Sequence, residues 1–182
     1  MVSNEEISVN KRNGRGKESL NIEKIHSMVG FATEGITGVS ASHVEMNSGI
    51  QFFDGVSTAD IQQILIKSAN DLITLENPNY QYVAARLLLF QLRKQLFHRL
   101  WDHPKFIDHI KTLIDKGLYD KDILVNYDES EIDRMGMWID HERDYNFTYA
   151  GLRQVMDKYL VQDRSTGDIF ETPQFMYMMI SA

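Results

Sequence analysis

The chain has 182 residues, of which 43% are hydrophobic and 25% charged, and this composition is that of a soluble globular protein of one ordinary domain or two small ones. A net charge of -7 argues against a general nucleic-acid binder, which needs a basic surface to neutralise phosphates. The absence of cysteine excludes disulfides, thiolate zinc sites and cysteine-based catalysis.

In chain order, residues 7 to 11 (ISVNK) alternate apolar and polar side chains, Asn13-Gly14 offers a left-handed turn, and Ser19-Leu20 closes a return strand, which predicts a short β-hairpin. Asn21 is an N-cap for a helix in which Ile22, Ile25, Met28 or Val29, and Ala32 recur at helical spacing up to Gly35. A second helix follows Ser40, carrying Val44 and Met46. Gly49, Asp54 and Gly55 then punctuate a break. Ser57 or Thr58 caps a third helix whose Ile61, Ile64, Leu65, Ser68 and Leu72 share a face, and Tyr80 to about Trp101 forms a longer, more apolar central helix.

Further helices are predicted from Pro104 to Lys116, around Glu129 to Trp138, and from Phe147 to Lys158. The stretch YLVQDRSTGDIFE reads as a second hairpin turning at 165 to 168. Pro173 opens a last apolar helix that stops without a cap, as expected of a chain cut short or completed by a partner. No stretch approaches the roughly 18 to 20 apolar residues of a membrane span, the N-terminus lacks a signal peptide, and the expected location is cytoplasmic.

The residues that point to chemistry lie early. Lys11, Arg12, Arg15, Lys17 and Lys24, with Gly14 and Gly16 among them, precede or open the first helix, and cations beside a helix N-terminus suit a polyphosphate. This is not a Walker loop: Lys11 stands where the first glycine is required, and Glu18 where a Ser or Thr must reach magnesium. Arg93-Lys94 reaches the same place if the bundle folds back. His98, His103 and His109 have no metal-ligand spacing and read as surface or packing residues. Asp140, His141, Glu142 and Asp144 read as a solvated connection rather than an acid/base site. No catalytic or metal-ligating residue is expected.

Three separated segments, VNKRNGRGKESLNIEKIH, QFFDGVSTADIQQILIKSANDLI and PNYQYVAARLLLFQLRK, resemble the ATP-cone of the large (alpha) subunit of class I ribonucleoside-diphosphate reductases. DHERDYNFTYAGLRQVMDKYLVQDRSTGDIFETPQFMYM resembles the start of the same subunit's catalytic part. The resemblance implies a mainly α fold: a β-hairpin lid on a four-helix bundle over residues 1–96, then an incomplete helical region with a short hairpin over residues 97–182. It implies an allosteric site for ATP or dATP, with magnesium, formed by Lys11, Lys17, Glu18, Ser19, Leu20, Asn21, Ile22, Glu23, Lys24, Thr58, Gln62 and Lys94. Ile22, Ile25 and Phe90 are expected to wall in the adenine. Gln62 stands where many dATP-inhibited relatives have a histidine, and Phe31 where a tryptophan is common, which puts inhibition by dATP in question.

The family reduces ribonucleotides with cysteines located beyond the region covered, so this chain alone is expected to be inert. The implied partners are the C-terminal portion of the large subunit, a second large-subunit copy and the small radical-generating subunit. Zinc-ribbon repressors also carry ATP-cones but need cysteines. A helical interaction module with a decayed nucleotide site remains the alternative.

Overall fold

The computed structural model describes residues 8–10, 16–49, 52–98 and 101–182. They fall into two compact units, one running to Leu88 and taking in Thr148–Ala150, the other holding Leu89–Phe147 and Gly151–Ala182. The fold is mainly helical, as expected, and no helix among the described residues is long and apolar enough to cross a membrane.

The first unit opens with strands β1 (Ser8–Asn10) and β2 (Lys17–Ser19), which pair antiparallel with Ser8 opposite Ser19 and Asn10 opposite Lys17. Lys11 and the Asn13-Gly14 turn lie outside the described residues. The hairpin is extended by a strand that the sequence reading missed, β3 (Val56–Ser57), parallel to β1 on its other edge, in the order β2-β1-β3. Val9 and Val56 sit side by side and are 3% and 0% exposed, so apolar burial drives this contact as much as the ladder does. Two residues are too few for an alternating pattern to register, which is why the segment reads as a mere break.

Helix α1 (Ile22–Thr33) starts where expected: the Asn21 side-chain oxygen accepts from the Lys24 N–H at 2.9 Å. Its buried stripe is Ile25, Val29 and Ala32. Helix α2 (Ala41–Gly49) carries Val44 and Met46 as expected, Val44 buried and Met46 facing solvent. Two positions further along a helix lie on the other side of it, and Ser48, four along, takes the inward place.

Ser57 rather than Thr58 caps α3 (Thr58–Asp71), in a reciprocal box with Asp60, and Ile61, Leu65 and Ser68 are buried as the spacing predicts. Helix α4 (Tyr80–Phe97) runs through both units. It is apolar on most sides because it is buried along much of its length. It ends before the expected Trp101, with His98 in the left-handed region at φ 58°.

The second unit contains α5 (Phe106–Asp115), α7 (Glu129–Met137), most of α8 (Tyr149–Lys158) and α9 (Pro173–Ser181). Also present are a short α6 (Ile123–Asn126) and a 3-10 helix (His141–Asn146), neither of which the sequence reading foresaw. Its core gathers Phe106, Ile107, Ile110, Ile132 and Phe175. The second predicted hairpin is reduced to one antiparallel bridge, Gln162 with Ile169. The ladder stops because the next N–H, that of Val161, donates to Glu171 Oε1 at 2.7 Å, a carboxylate that also takes the Tyr119 hydroxyl.

Candidate functional site

The three-stranded sheet places Lys17 close to the start of α3. Asn10 pairs with Lys17 on one side and with Ser57 on the other, so Lys17, Asn10 and Ser57 form one row across the sheet. At the usual strand spacing the outer two Cα atoms are about 10 Å apart. Because Val9 points into the protein, its neighbours Ser8 and Asn10 take the opposite face, and Lys17 and Ser19, their partners across β2, lie exposed. Thr58, the first residue of α3, follows Ser57 directly and is half-buried.

Chain continuity brings the segment Glu18 to Lys24 to the N-terminus of α1. Glu18 and Leu20 are half-buried, whereas Ser19, Asn21, Glu23 and Lys24 are exposed and Ile22 is 70% exposed. An isoleucine that open to water has apolar surface available to a base. The capping bond of Asn21 uses the Lys24 N–H and leaves the first-turn donors of Ile22 and Glu23 at the positive end of the helix dipole. At α3 the same positive end already faces a carboxylate, since the Asp60 side chain is drawn onto Ser57 with Oγ to Oδ2 at 2.6 Å.

Gln62 is not at an open surface. It is 5% exposed, and its Nε2 donates to the Leu87 carbonyl at 2.8 Å, tying α3 to α4. Lys94 is exposed on the part of α4 that belongs to the second unit.

Two expectations about α4 are corrected. Arg93 is not turned to a phosphate. It is buried in the second unit, where Nη1 donates to the Tyr145 hydroxyl at 2.9 Å, Nη2 to the His141 carbonyl at 2.5 Å, and Nη2 lies 3.6 Å from Asp144 Oδ2. Phe90, expected beside an adenine, is buried edge-on against Trp101 and Tyr145. Both residues answer to the packing of the second unit, which helical spacing within α4 does not reveal.

The stretch read as a solvated connection is also corrected. Asp144 is buried, receives the Gln174 Nε2 at 2.8 Å, and has its pKa pushed up to about 6 because burial outweighs the pull of Gln174 and Arg93. The His141 ring stacks on that of His103 at 3.7 Å, and His109 stacks on Phe175 at 4.2 Å. Burial lowers the pKa of His103 and of His109 to about 4 and that of His141 to about 3. They are packing histidines, as read for His103 and His109. A cavity of about 410 Å³ opens beside His103, Phe106, Asp133, Met137 and His141. Its single lysine, Lys105, and the carboxylate of Asp133 make a poor seat for a triphosphate.

Against known proteins, residues 7–95 match the ATP cone domain and residues 145–182 the ribonucleotide reductase all-alpha domain. The chain is 44% identical over 179 residues, 98% of its length, to ribonucleoside-diphosphate reductase 1 subunit alpha of Escherichia coli (strain K12), of which it covers 23%. It is 45% identical, with the same coverage, to the corresponding subunit of Haemophilus influenzae. With the subunit alpha of Enterobacteria phage T4 it shares 43% identity over 96% of its length and 23% of that protein. The chain thus spans less than a quarter of the length of these relatives. The chain belongs to the ribonucleotide reductase alpha-subunit family, as a stretch of its N-terminal region that carries the ATP cone and enters the all-alpha domain.

Proposed function

We propose that this chain is the nucleotide-sensing portion of a ribonucleoside-diphosphate reductase alpha subunit, binding ATP or dATP, with magnesium, as an allosteric effector of ribonucleotide reduction. The observation that carries this reading is the row Lys17, Asn10, Ser57, which sets a lysine of the hairpin beside the start of α3 within the stretch that matches the ATP cone. Lys17 and Lys24, with Lys11 from the same hairpin sequence, supply charge for the phosphates, and the first-turn donors of α1 supply N–H groups. Thr58 offers a hydroxyl at the head of α3. Ile22 offers apolar surface to the base. Lys94 is added on the family's sequence pattern alone.

The regulatory domain is taken to extend over residues 1–96, with residues 97–182 as the beginning of the reductase body. Thiyl chemistry requires cysteine, and this sequence has none, so reduction depends on a cysteine-bearing remainder. That remainder, a second large-subunit copy and the small radical-generating subunit are the proposed partners, and the cytoplasm the proposed location. The placement of Gln62 supports a relaxed response to dATP. Its amide is committed to Leu87, where a sugar contact would require it to let go.

A chimera tests the regulatory role. This chain replaces the matching region of the Escherichia coli subunit alpha, and reductase activity is followed against ATP and dATP. Stimulation by ATP, lost on Lys17→Ala, is expected. An active chimera indifferent to ATP would contradict the reading and leave a scaffold module.

A further inference from the structure

Strands β1 and β2 are three residues each, and a two-stranded hairpin of that size is not stable alone in water. Among the described residues, several contacts seat it on the first unit: the ladder to β3 has two residue pairs, Val9 is buried, and a polar attachment centres on Asp54. Asp54 Oδ1 accepts from both the Ser8 N–H at 2.9 Å and the Ser8 hydroxyl at 2.6 Å. The next residue continues the grip: the Gly55 N–H donates to the Ser8 carbonyl at 2.8 Å and its own carbonyl accepts from Asn10 Nδ2 at 2.7 Å. Gly55 makes this turn at φ 81°, a conformation that glycine adopts without strain.

This clasp lies between the two halves of the candidate site. On one side β1 carries β2 and Lys17. On the other side Gly55 leads within three residues to Thr58. The two donors from Ser8 hold the Asp54 carboxyl below the ordinary carboxylate range, with a smaller pull from Lys17, so it is ionised at neutral pH. The carboxylate is open to water, and such bonds are made and broken readily, unlike those of a core.

We propose that Asp54 is the latch that closes the β1–β2 hairpin on the head of α3 and so sets the residence time of the bound nucleotide. The inference rests on the nucleotide reading above. Asp54 acts through Ser8 and is a positioning residue. With the latch made, Lys17 and Thr58 face one ligand from two elements. With it broken, the hairpin swings on the short β3 ladder and the ligand keeps only the contacts from the helices. The latch therefore governs departure more than arrival.

Stopped-flow fluorescence of MANT-ATP with the 182-residue chain separates the two rates. Asp54→Ala is expected to raise the dissociation rate about tenfold while association changes little, as follows from losing charge-assisted bonds made only in the closed state. Asp54→Asn keeps an acceptor for the Ser8 N–H and should recover much of the loss. Ser8→Ala should give a smaller rise, and adding it to Asp54→Ala should change nothing further, because one set of bonds is removed twice. A wild-type dissociation rate in Asp54→Ala, or rises that simply multiply in the double variant, would overturn the latch while leaving nucleotide binding intact. If the unmodified chain does not bind MANT-ATP, the functional reading itself falls, and the latch with it.

Discussion

The guanidinium of Arg93 and the carboxylate of Asp144 face each other at 3.6 Å with side chains 2% and 0% exposed, an ion pair that joins α4 to the 3-10 helix inside the second unit. Removing one partner strands the other. Asp144→Ala is expected to lower stability by about 3–5 kcal/mol, because Arg93 is then buried without a counter-charge. Replacing the pair together with Arg93→Met and Asp144→Leu should cost less than the sum of the single changes. Urea denaturation of Asp144→Ala, of Arg93→Met and Asp144→Leu singly, and of the double variant, read as the shift in midpoint, checks both statements.

The three packing histidines give this unit a specific pH dependence. His103, His109 and His141 are held neutral by burial, with folded-state pKa values of about 4, 4 and 3 against about 6.5 when unfolded. As pH falls below 6.5 the unfolded chain takes up protons that the folded chain refuses, so stability is full above pH 6.5 and declines down to about pH 4. Asp144, pushed up to about 6, and Glu171, raised by burial, work in the opposite direction, but they are two groups against three. For the most deeply buried, His109, the loss is about 3 kcal/mol. Denaturation midpoints at pH 7.5, 6 and 5 should fall in order, and His109→Phe, which keeps the ring packing against Phe175, should flatten the decline.

Gly136 lies on α7 where it meets α5, and a Cβ built there would stand 3.1 Å from Phe106 Cβ. Alanine improves helix propensity by about 1 kcal/mol, yet overpacking costs about 1–3 kcal/mol, and Phe106 Cβ is too close to its backbone to swing away. Gly136→Ala is therefore expected to be net destabilising. A melting temperature at or above that of the unmodified chain would show that α5 and α7 part without cost.

In the first unit, Gln62→Leu removes the bond to the Leu87 carbonyl and is expected to cost about 1 kcal/mol, since the apolar side chain recovers part of the burial. If Gln62 is committed to packing, ATP and dATP affinities in this variant should stay close to those of the unmodified chain. A selective loss of one nucleotide would place the side chain at the sugar instead.

Much of the helical frame was legible because its signals are local. Asn21 and Ser57 are capping types, the apolar residues of α1 and α3 recur at helical spacing, and Gly117 stops α5. What escaped depends on distant pairing. Strand β3 exists only because β1, more than 45 positions earlier, lies alongside it, and no two-residue segment announces a parallel partner. The buried role of Asp144 was masked by the charged residues around it, while its partner Arg93 sits some 50 positions earlier on a helix whose cations looked free. At the candidate site the residue types and their order were readable, including the hairpin lysine and Thr58. The clasp made by Asp54 and Ser8 was not, since neither residue is unusual where it stands.

Nucleotide sensing by this chain stands or falls on calorimetric titration of the 182-residue chain with ATP and with dATP, at fixed magnesium and salt. Saturable binding of ATP is expected, weakened about tenfold in Lys17→Ala as a charge-assisted phosphate contact is lost, with dATP bound no more tightly than ATP. A folded chain that binds neither nucleotide would contradict it.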